Sequence, residues 1–246
     1  MTIIEHLEEL RRVLIVSAVA TGALSLVAAV FYRQILALLL SPLTSAGYKV
    51  VFTAPTEAFM TIVKVCLFSG FLMALPIILW QIWSFLAPAL EETERRYFVL
   101  FVFGSFFLFV GGVLFGFFGV YRYGLAFLLR FGGDYLVPML TIGKYISFTI
   151  YFLVPFGIIF ELPLVSYLLA RLELISSKFL ASKRKYAFLV IVVLAAAITP
   201  TPDAFTCLLM AGPMYLLYEI SVFIVRLTEK AMARQKEKSE LRPEPH

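Results

Sequence analysis

Histidine, cysteine and charge are all scarce in this chain of 246 residues, and each shortage argues against a class of protein. There are two histidines and two cysteines, and no H-E-x-x-H motif, Cys/His cluster or glycine-rich phosphate loop occurs. The sequence therefore predicts no metal site and no cofactor, and it argues against an enzyme. Charged residues amount to 15% of the chain, compared with about a quarter in typical soluble proteins, so a soluble domain is also disfavoured.

Long apolar runs take the place of these residues. Hydrophobic residue types make up 61% of the chain, and the mean hydropathy is +0.94. Runs of about 20 apolar residues fit membrane-spanning helices rather than barrel strands. We therefore predict an all-α integral membrane protein in which residues 1–225 form a single transmembrane domain. The six predicted spans are residues 13–32, 62–85, 97–121, 145–170, 186–199 and 204–225. Cys66 and Cys207 lie in apolar runs and are predicted to be buried thiols rather than a disulfide.

The last two spans and the tail differ from the rest of the chain. Residues 186–199 would form a helix of roughly 21 Å, which is shorter than the ~30 Å hydrocarbon core of a bilayer. The sequence Thr-Pro-Thr-Pro-Asp at residues 199–203 then forces a turn, and Asp203 suits the N-cap of the sixth helix. We predict a short helical hairpin that thins the bilayer locally. Residues 226–246 are charged and are predicted to be a disordered cytoplasmic tail.

The distribution of lysine and arginine predicts the orientation of the chain. Segments 1–12, 86–96, 171–185 and 226–246 hold 15 of the 21 basic residues, and the segments on the other side hold 6. The positive-inside rule therefore predicts that both termini are cytoplasmic. For the same reason the net charge of +5 reports orientation and is not a sign of nucleic-acid binding.

Two acids lie inside apolar runs, where a carboxylate costs on the order of 2.5–3.5 kcal/mol. Glu161 is about ten residues from the inner end of its span, hence ~15 Å deep and close to the midplane. Pro163 follows it and deprives the carbonyl of Ile159 of its usual donor. Glu161 is either a protonated group that satisfies this broken turn or a functional group, as a polar socket for a partner helix or a proton-linked site. Intramembrane acids favour the functional interpretation. Glu219 lies near the inner end of its helix and is predicted to snorkel or to pair with Arg226, two turns on.

Two short clusters on the predicted cytoplasmic side combine acids with a pair of arginines. The first is residues 6–12, and the second is the loop of residues 85–96, which carries five charges between two uncharged apolar runs. The arginine pairs alone could be topology signals. Carboxylates held at an interface accept bidentate hydrogen bonds from guanidinium groups, so a ligand with paired arginines would fit. Internal pairs such as Glu8–Arg11 could instead consume these charges.

Five motifs, in order along the chain, resemble the signature blocks of the TatC family, the multispanning core subunit of the twin-arginine protein translocase. They cover about residues 5–225, so the resemblance extends over nearly the whole chain. The motifs are His6-Leu7-Glu8-Glu9-Leu10-Arg11, Phe85-Leu86-Ala87-Pro88-Ala89-Leu90, Glu94-Arg95-Arg96, Phe160-Glu161-Leu162-Pro163 and Thr199-Pro200 through Asp203.

The resemblance implies six helices in a concave, glove-like arrangement, with short fifth and sixth helices and both termini cytoplasmic. It implies a multi-pass protein of the cytoplasmic (inner) membrane that receives the twin-arginine signal peptides of folded precursor proteins. Transport would use the proton-motive force and no nucleotide. Glu9 and Glu94 would recognise the arginines. TatA- and TatB-type single-span subunits would be partners, and Glu161 would be linked to the TatA-type helices. The same peptide-binding surface would include Arg11, Arg95, Arg96 and Phe85. Further partners would be other copies of the chain and the lipid bilayer.

Two other functions compete with protein export. A small proton-coupled secondary transporter would use Glu161 between broken helices, but the prolines at positions 76, 155 and 163 are not placed symmetrically in two halves. A membrane-embedded hydrolase is disfavoured because no histidine lies within a predicted span. Liposome uptake of a small solute, or crosslinking of a twin-arginine peptide, would separate these functions.

Overall fold

The fold is mostly helical where the computed structural model describes the chain, with two short strands and a few short turns. The described residues are 3–86, 98–131, 139–199 and 204–240. Contacts divide the chain into two compact units, residues 1–157 and 158–246. Helices follow from the long apolar runs because a backbone in lipid must satisfy its polar groups within its own segment.

The first unit contains long helices joined by short ones. Its described elements are α1 (Ile3–Val30), α2 (Tyr32–Ser45), β1 (Val50–Val51), α3 (Pro55–Leu86), α4 (Phe98–Leu114), a π-helical segment (Phe115–Tyr121), α5 (Arg122–Phe131), β2 (Leu140–Thr141) and α6 (Ile142–Phe160), which ends in the second unit. Helix α3 begins at Pro55 with Glu57 in its first turn, a pairing that is typical of a helix start. Residues 35–40, an apolar run too short to span a bilayer, lie within α2.

Helices α1 and α3 pack against each other through small residues. Gly70 of α3 lies so close to Ser25 of α1 that a Cβ atom at position 70 would be 2.5 Å from the Ser25 backbone nitrogen. The hydroxyl of Ser25 donates to the carbonyl of Thr21 at 2.7 Å, so this buried polar group is satisfied within its own helix. Close approach at small residues is a common way for membrane helices to associate. Much of α1 is exposed and apolar, with Leu26 76% exposed, as suits contact with lipid.

Aromatic side chains fill the spaces that other glycines leave. A Cβ atom at Gly157 would be 2.5 Å from the ring of Phe109, and one at Gly116 would be 3.0 Å from the ring of Phe156. Gly116 lies in the π-helical segment, a rare conformation that the sequence did not predict. An added methyl group at either position would press on a neighbouring ring, which would have to shift to make room.

A chain of hydrogen bonds joins three elements inside the first unit. The hydroxyls of Tyr121 and Thr149 are 2.7 Å apart, and Thr149 also donates to the carbonyl of Tyr145 at 2.9 Å. The hydroxyl of Tyr145 in turn donates to the carbonyl of Leu39 at 2.9 Å. The four residues link α2, the π-helical segment and α6, and they leave none of these buried hydroxyls unsatisfied.

The end of the first unit where α1 stops and α3 begins is tied together by a carboxylate. Strands β1 and β2 pair in parallel at this end. Glu57 accepts hydrogen bonds from the Gly143 N–H and from the N–H and hydroxyl of Thr53, each at 2.9 Å. Nearby along the same helices, the Lys64 ammonium donates to the Ser147 hydroxyl at 2.8 Å. These contacts join segments more than 80 residues apart in the chain.

The second unit is organised around its last helix. Its described elements, after the end of α6, are α7 (Leu162–Arg171), α8 (Ser177–Ser182), α9 (Arg184–Ile198) and α10 (Ala204–Glu240), and α10 contacts each of the other three. Helix α10 continues past Val225, where the apolar run ends. Val225 and Thr228 are both buried, so this part of the helix packs against the rest of the unit. The prediction of a disordered tail is therefore wrong for residues 226–240, which continue the helix, and residues 241–246 lie outside the described residues.

Long apolar helices identify a membrane protein. Five stretches within the described residues are long and apolar enough to cross a bilayer: His6–Val30, Pro55–Phe85, Val99–Arg130, Ile142–Arg171 and Ala204–Arg234. Helix α9 has 15 residues, which at roughly 1.5 Å per residue is shorter than the hydrocarbon core.

Candidate functional site

The N-terminal motif and the end of α3 meet in the structure. The ring of His6 stacks on that of Phe85, with centroids 4.3 Å apart and an interplanar angle of 26°. Because α1 and α3 run antiparallel, the first turns of α1 lie beside the last turn of α3. His6 of the first motif and Phe85, the first residue of the second, are therefore in contact, although almost 80 residues separate them.

Glu9 lies one turn after His6 and differs from the other charged side chains of the motif. It is half-buried, and its Oε2 is shielded from solvent without a hydrogen-bond partner among the described residues. Glu8 and Arg11 are exposed and form no ion pair with each other. The alternative in which Glu8 and Arg11 neutralise one another is therefore wrong, and a sheltered carboxylate oxygen remains beside the His6–Phe85 stack.

Three predicted site residues, Glu94, Arg95 and Arg96, lie outside the described residues. The segment that contains them starts two residues after Phe85, at the last turn of α3. Their assignment to a surface shared with Glu9 therefore stays a prediction.

Glu161 lies at a break in the fourth apolar run, between α6 and α7. Its N–H donates to the carbonyl of Ile158 at 3.1 Å, and its carbonyl accepts from the N–H of Val165 at 2.9 Å. Pro163 lies in the first turn of α7 and cannot continue the hydrogen bonds of α6. The side chain of Glu161 is half-buried and makes no capping hydrogen bond to α7. The broken turn that Pro163 predicts is present, but the carboxylate does not cap the new helix.

Glu219 pairs with a residue that sequence reasoning did not choose. Its Oε2 is 2.8 Å from the guanidinium of Arg184, and its Oε1 accepts from the Tyr215 hydroxyl at 3.0 Å. The hydrogen bond and charge of Glu219 hold the pKa of Arg184 above its ordinary value. The predicted ion-paired role of Glu219 is confirmed, but its partner is Arg184 and not Arg226. The packing of α9 on α10 brings the first residue of α9 alongside Glu219, whereas Arg226 is exposed two turns away.

The sequence also did not predict a second polar contact in the same unit, between Glu229 and Ser177. Glu229 accepts a hydrogen bond from the Ser177 N–H at 2.9 Å and another from the Ser177 hydroxyl. Ser176 caps α8 by accepting from the Phe179 N–H at 3.1 Å, and the Tyr218 hydroxyl donates to the carbonyl of Leu180 at 2.7 Å. The serine pair before α8 is a recognisable N-cap signal, but nothing local in the sequence identifies Glu229 as its partner.

Metal-binding side chains do not cluster within the part of the chain that the structure describes, where no three His, Cys, Asp or Glu residues gather. Cys66 is buried and Cys207 is half-buried, and both are free thiols. The described arrangement therefore offers carboxylates, a histidine and aromatic rings at one end of the first unit, which suits recognition of a cationic ligand.

Comparisons with known proteins agree with one another. Residues 5–213 match the family model of the Sec-independent protein translocase protein (TatC). The TatC protein of Carboxydothermus hydrogenoformans is 50% identical over 92% of this chain and 93% of its own, and that of Aquifex aeolicus is 40% identical over 94% and 97%. A crystal structure described as the twin-arginine translocase receptor TatC superposes with a TM-score of 0.83 at 39% identity, covering 91% of this chain and 99% of that one.

The five long apolar helices, the family match and the structural likeness give one conclusion. The chain is a membrane protein that belongs to the TatC family and is a component of the Sec-independent protein translocase.

Proposed function

We propose that this chain is the signal-peptide receptor and core scaffold of a twin-arginine translocase in the cytoplasmic membrane. It receives folded precursors through the paired arginines of their signal peptides, and the proton-motive force drives their export. It acts as a binding and assembly protein and not as an enzyme. The solved relative is described as a receptor, which supports the first part of this assignment.

The sheltered carboxylate oxygen of Glu9 beside the His6–Phe85 stack carries the proposal. A carboxylate that accepts no hydrogen bond within the described chain retains its capacity for a guanidinium donor. Such charge-assisted, bidentate contacts discriminate arginine from lysine, because only the guanidinium presents two parallel N–H groups. Glu94 is the second proposed acceptor, and Arg11, Arg95, Arg96 and Phe85 complete the proposed surface.

The proposed topology has six spans and cytoplasmic termini. Its support is the excess of lysine and arginine in the segments assigned to the cytoplasm. Helix α9, with 15 residues, is the short span of a hairpin with the apolar part of α10, and it thins the bilayer around it. Glu161, half-buried at a break in the fourth span, is the proposed polar contact for a TatA- or TatB-type helix.

Photo-crosslinking of a twin-arginine signal peptide to the full-length protein tests the assignment of the two acids. Glu9→Ala and Glu94→Ala each remove an acceptor and should reduce crosslinking about tenfold or more, since hydrogen bonds to charged groups contribute about 1.5–3 kcal/mol. Glu8→Ala is the matched control, because it removes an exposed acid next to Glu9 and should leave crosslinking unchanged. Unchanged crosslinking in both Glu9→Ala and Glu94→Ala would exclude these residues as the arginine acceptors.

A further inference from the structure

A small hollow lies between α2 and the end of the π-helical segment, at the end of the first unit opposite the His6–Phe85 stack. It is a shallow, open depression with a cavity volume of about 40 Å³, and we name it the serine-arginine hollow. Its lining residues are Ser41, Pro42, Ser45, Phe117, Phe118 and Arg122. Three of them present polar donors, and the other three present apolar surface.

The polar donors in the serine-arginine hollow have no acceptor in the described chain. Arg122 is exposed and makes no hydrogen bond or ion pair with any described residue, in contrast to Arg184, which is held by Glu219. The hydroxyls of Ser41 and Ser45 likewise make no hydrogen bond to described residues. Arg122, Ser41 and Ser45 line the same hollow. A guanidinium and two hydroxyls are a suitable set of donors for a phosphate group.

The apolar residues continue the hollow towards the hydrocarbon. Phe118 precedes Arg122 by four residues and is 56% exposed, and it belongs to the long apolar stretch Val99–Arg130. On the other side, Leu38 of α2 is 55% exposed and lies one turn before Pro42. The donors are therefore flanked on two helices by exposed apolar side chains, a combination that suits a phosphate group attached to acyl chains.

We propose that the serine-arginine hollow binds a membrane phospholipid through its phosphate, in the leaflet opposite the N-terminus. The guanidinium of Arg122 and the hydroxyls of Ser41 and Ser45 together donate to the two non-bridging oxygens of the phosphodiester. Phe118 and Leu38 contact the acyl chains. A free phosphate ion would satisfy only the three donors and would leave both apolar side chains uncovered, so the lipid is the better fit for the whole surface.

Native mass spectrometry of the full-length protein in detergent, titrated with phosphatidylglycerol, tests this site. In Arg122→Gln the dissociation constant of the first bound lipid should rise about tenfold, as expected for loss of a charge-assisted contact. Ser41→Ala combined with Ser45→Ala should raise it by a smaller factor. Arg130→Gln is the matched control, because Arg130 is an exposed arginine of the same helix α5 outside the hollow, and it should leave the constant unchanged.

Two further ligands separate the sources of the affinity. Diacylglycerol with the same acyl chains should bind more weakly than phosphatidylglycerol, and it should bind equally to the native protein and to Arg122→Gln. Inorganic phosphate at millimolar concentration should not displace the lipid. Equal losses in Arg122→Gln and Arg130→Gln, equal binding of the two lipids, or displacement by inorganic phosphate would each overturn the proposal. Unchanged circular dichroism of Arg122→Gln would show that the loss of lipid does not follow from unfolding.

Discussion

Helices of residues 3–157 meet through glycine, serine and aromatic rings, whereas those of residues 158–240 are also joined by carboxylates. In the first unit, Gly70 admits Ser25 and Gly157 admits the ring of Phe109. In the second unit, Glu229 binds Ser177 and Glu219 binds Arg184. In lipid, close packing of small residues must supply much of the attraction between helices. The hydrophobic effect does not drive them together there, because the lipid tails are as apolar as the side chains. Towards the polar ends of helices, where water competes, charged hydrogen bonds can join segments at modest cost.

This difference predicts two kinds of sensitivity. The helix–helix contacts at Gly70 and Gly157 in the first unit should be intolerant of added volume and insensitive to salt, because they join uncharged groups at close range. The second unit should be intolerant of lost acceptors, and its exposed ion pair should weaken as salt screens it.

Gly70→Ala should give the largest loss of stability. Its Cβ atom would lie 2.5 Å from the backbone nitrogen of Ser25, so α1 and α3 must separate. We expect a loss at the upper end of the about 1–3 kcal/mol typical of overpacking, measured as a fall in the apparent melting temperature in detergent. Gly22→Ala is the control, because nothing lies within 4 Å of the added atom, and it should be neutral or slightly stabilising. Similar shifts for both would contradict close packing at Gly70.

Glu229→Ala should loosen α8 without unfolding the membrane helices. The substitution removes both acceptors of Ser177 and should cost about 1–2 kcal/mol locally, somewhat less than a fully buried charged hydrogen bond. Hydrogen–deuterium exchange of residues 177–182 should therefore speed up. Lys230→Ala, an exposed neighbour, should leave that exchange unchanged. Unaltered exchange in Glu229→Ala would mean that α8 does not depend on this contact.

Glu57 is the exception in the first unit, since it joins two segments there as a carboxylate. Glu57→Ala should increase the exchange rate of the Gly143 amide several-fold, because that N–H loses its acceptor. Glu57→Gln keeps one carbonyl oxygen in place and should have a smaller effect. If both variants leave the Gly143 amide protected, the strand pair of β1 and β2 alone holds this end of the unit.

The Arg184–Glu219 pair should show the smallest effect. The two side chains are 45% and 31% exposed, and solvent-exposed ion pairs contribute little to stability. Arg184→Glu should lower the apparent melting temperature slightly at low salt, and adding Glu219→Arg should restore it. The shift should shrink in 1 M NaCl, where the Debye length is about 3 Å. A shift that persists in high salt and is not restored by the exchange would show that packing, and not charge, is lost.

Features with a local cause were the ones that the sequence could predict. Apolar length predicts membrane-spanning helices, and the Pro55–Glu57 pairing predicts the start of α3. The break at Glu161 follows from Pro163, because a proline lacks the donor that the preceding turn needs. Each of these depends on residues within a few positions of one another.

Features that depend on tertiary packing could not be predicted. Glu219 pairs with Arg184, 35 residues away, because α9 and α10 pack against each other. No rule of sequence spacing favours Arg184 over Arg226 as the partner. The tail looked disordered from its charge, yet α10 continues through Glu240, with Glu229 holding α8 against it. In the candidate site, the motifs of His6 and Phe85 were found from the sequence, but their ring contact required the antiparallel packing of α1 and α3.

Recognition of paired arginines can be tested with two signal peptides that differ only in carrying Arg-Arg or Lys-Lys. The quantity to compare is the dissociation constant of each peptide. Fluorescence anisotropy with the full-length protein in nanodiscs would measure both constants. We expect the Arg-Arg peptide to bind about tenfold tighter or more, and the ratio of the two constants to fall towards one when Glu9→Ala and Glu94→Ala are combined. Equal dissociation constants for the two peptides on the native protein would contradict a receptor that recognises paired arginines.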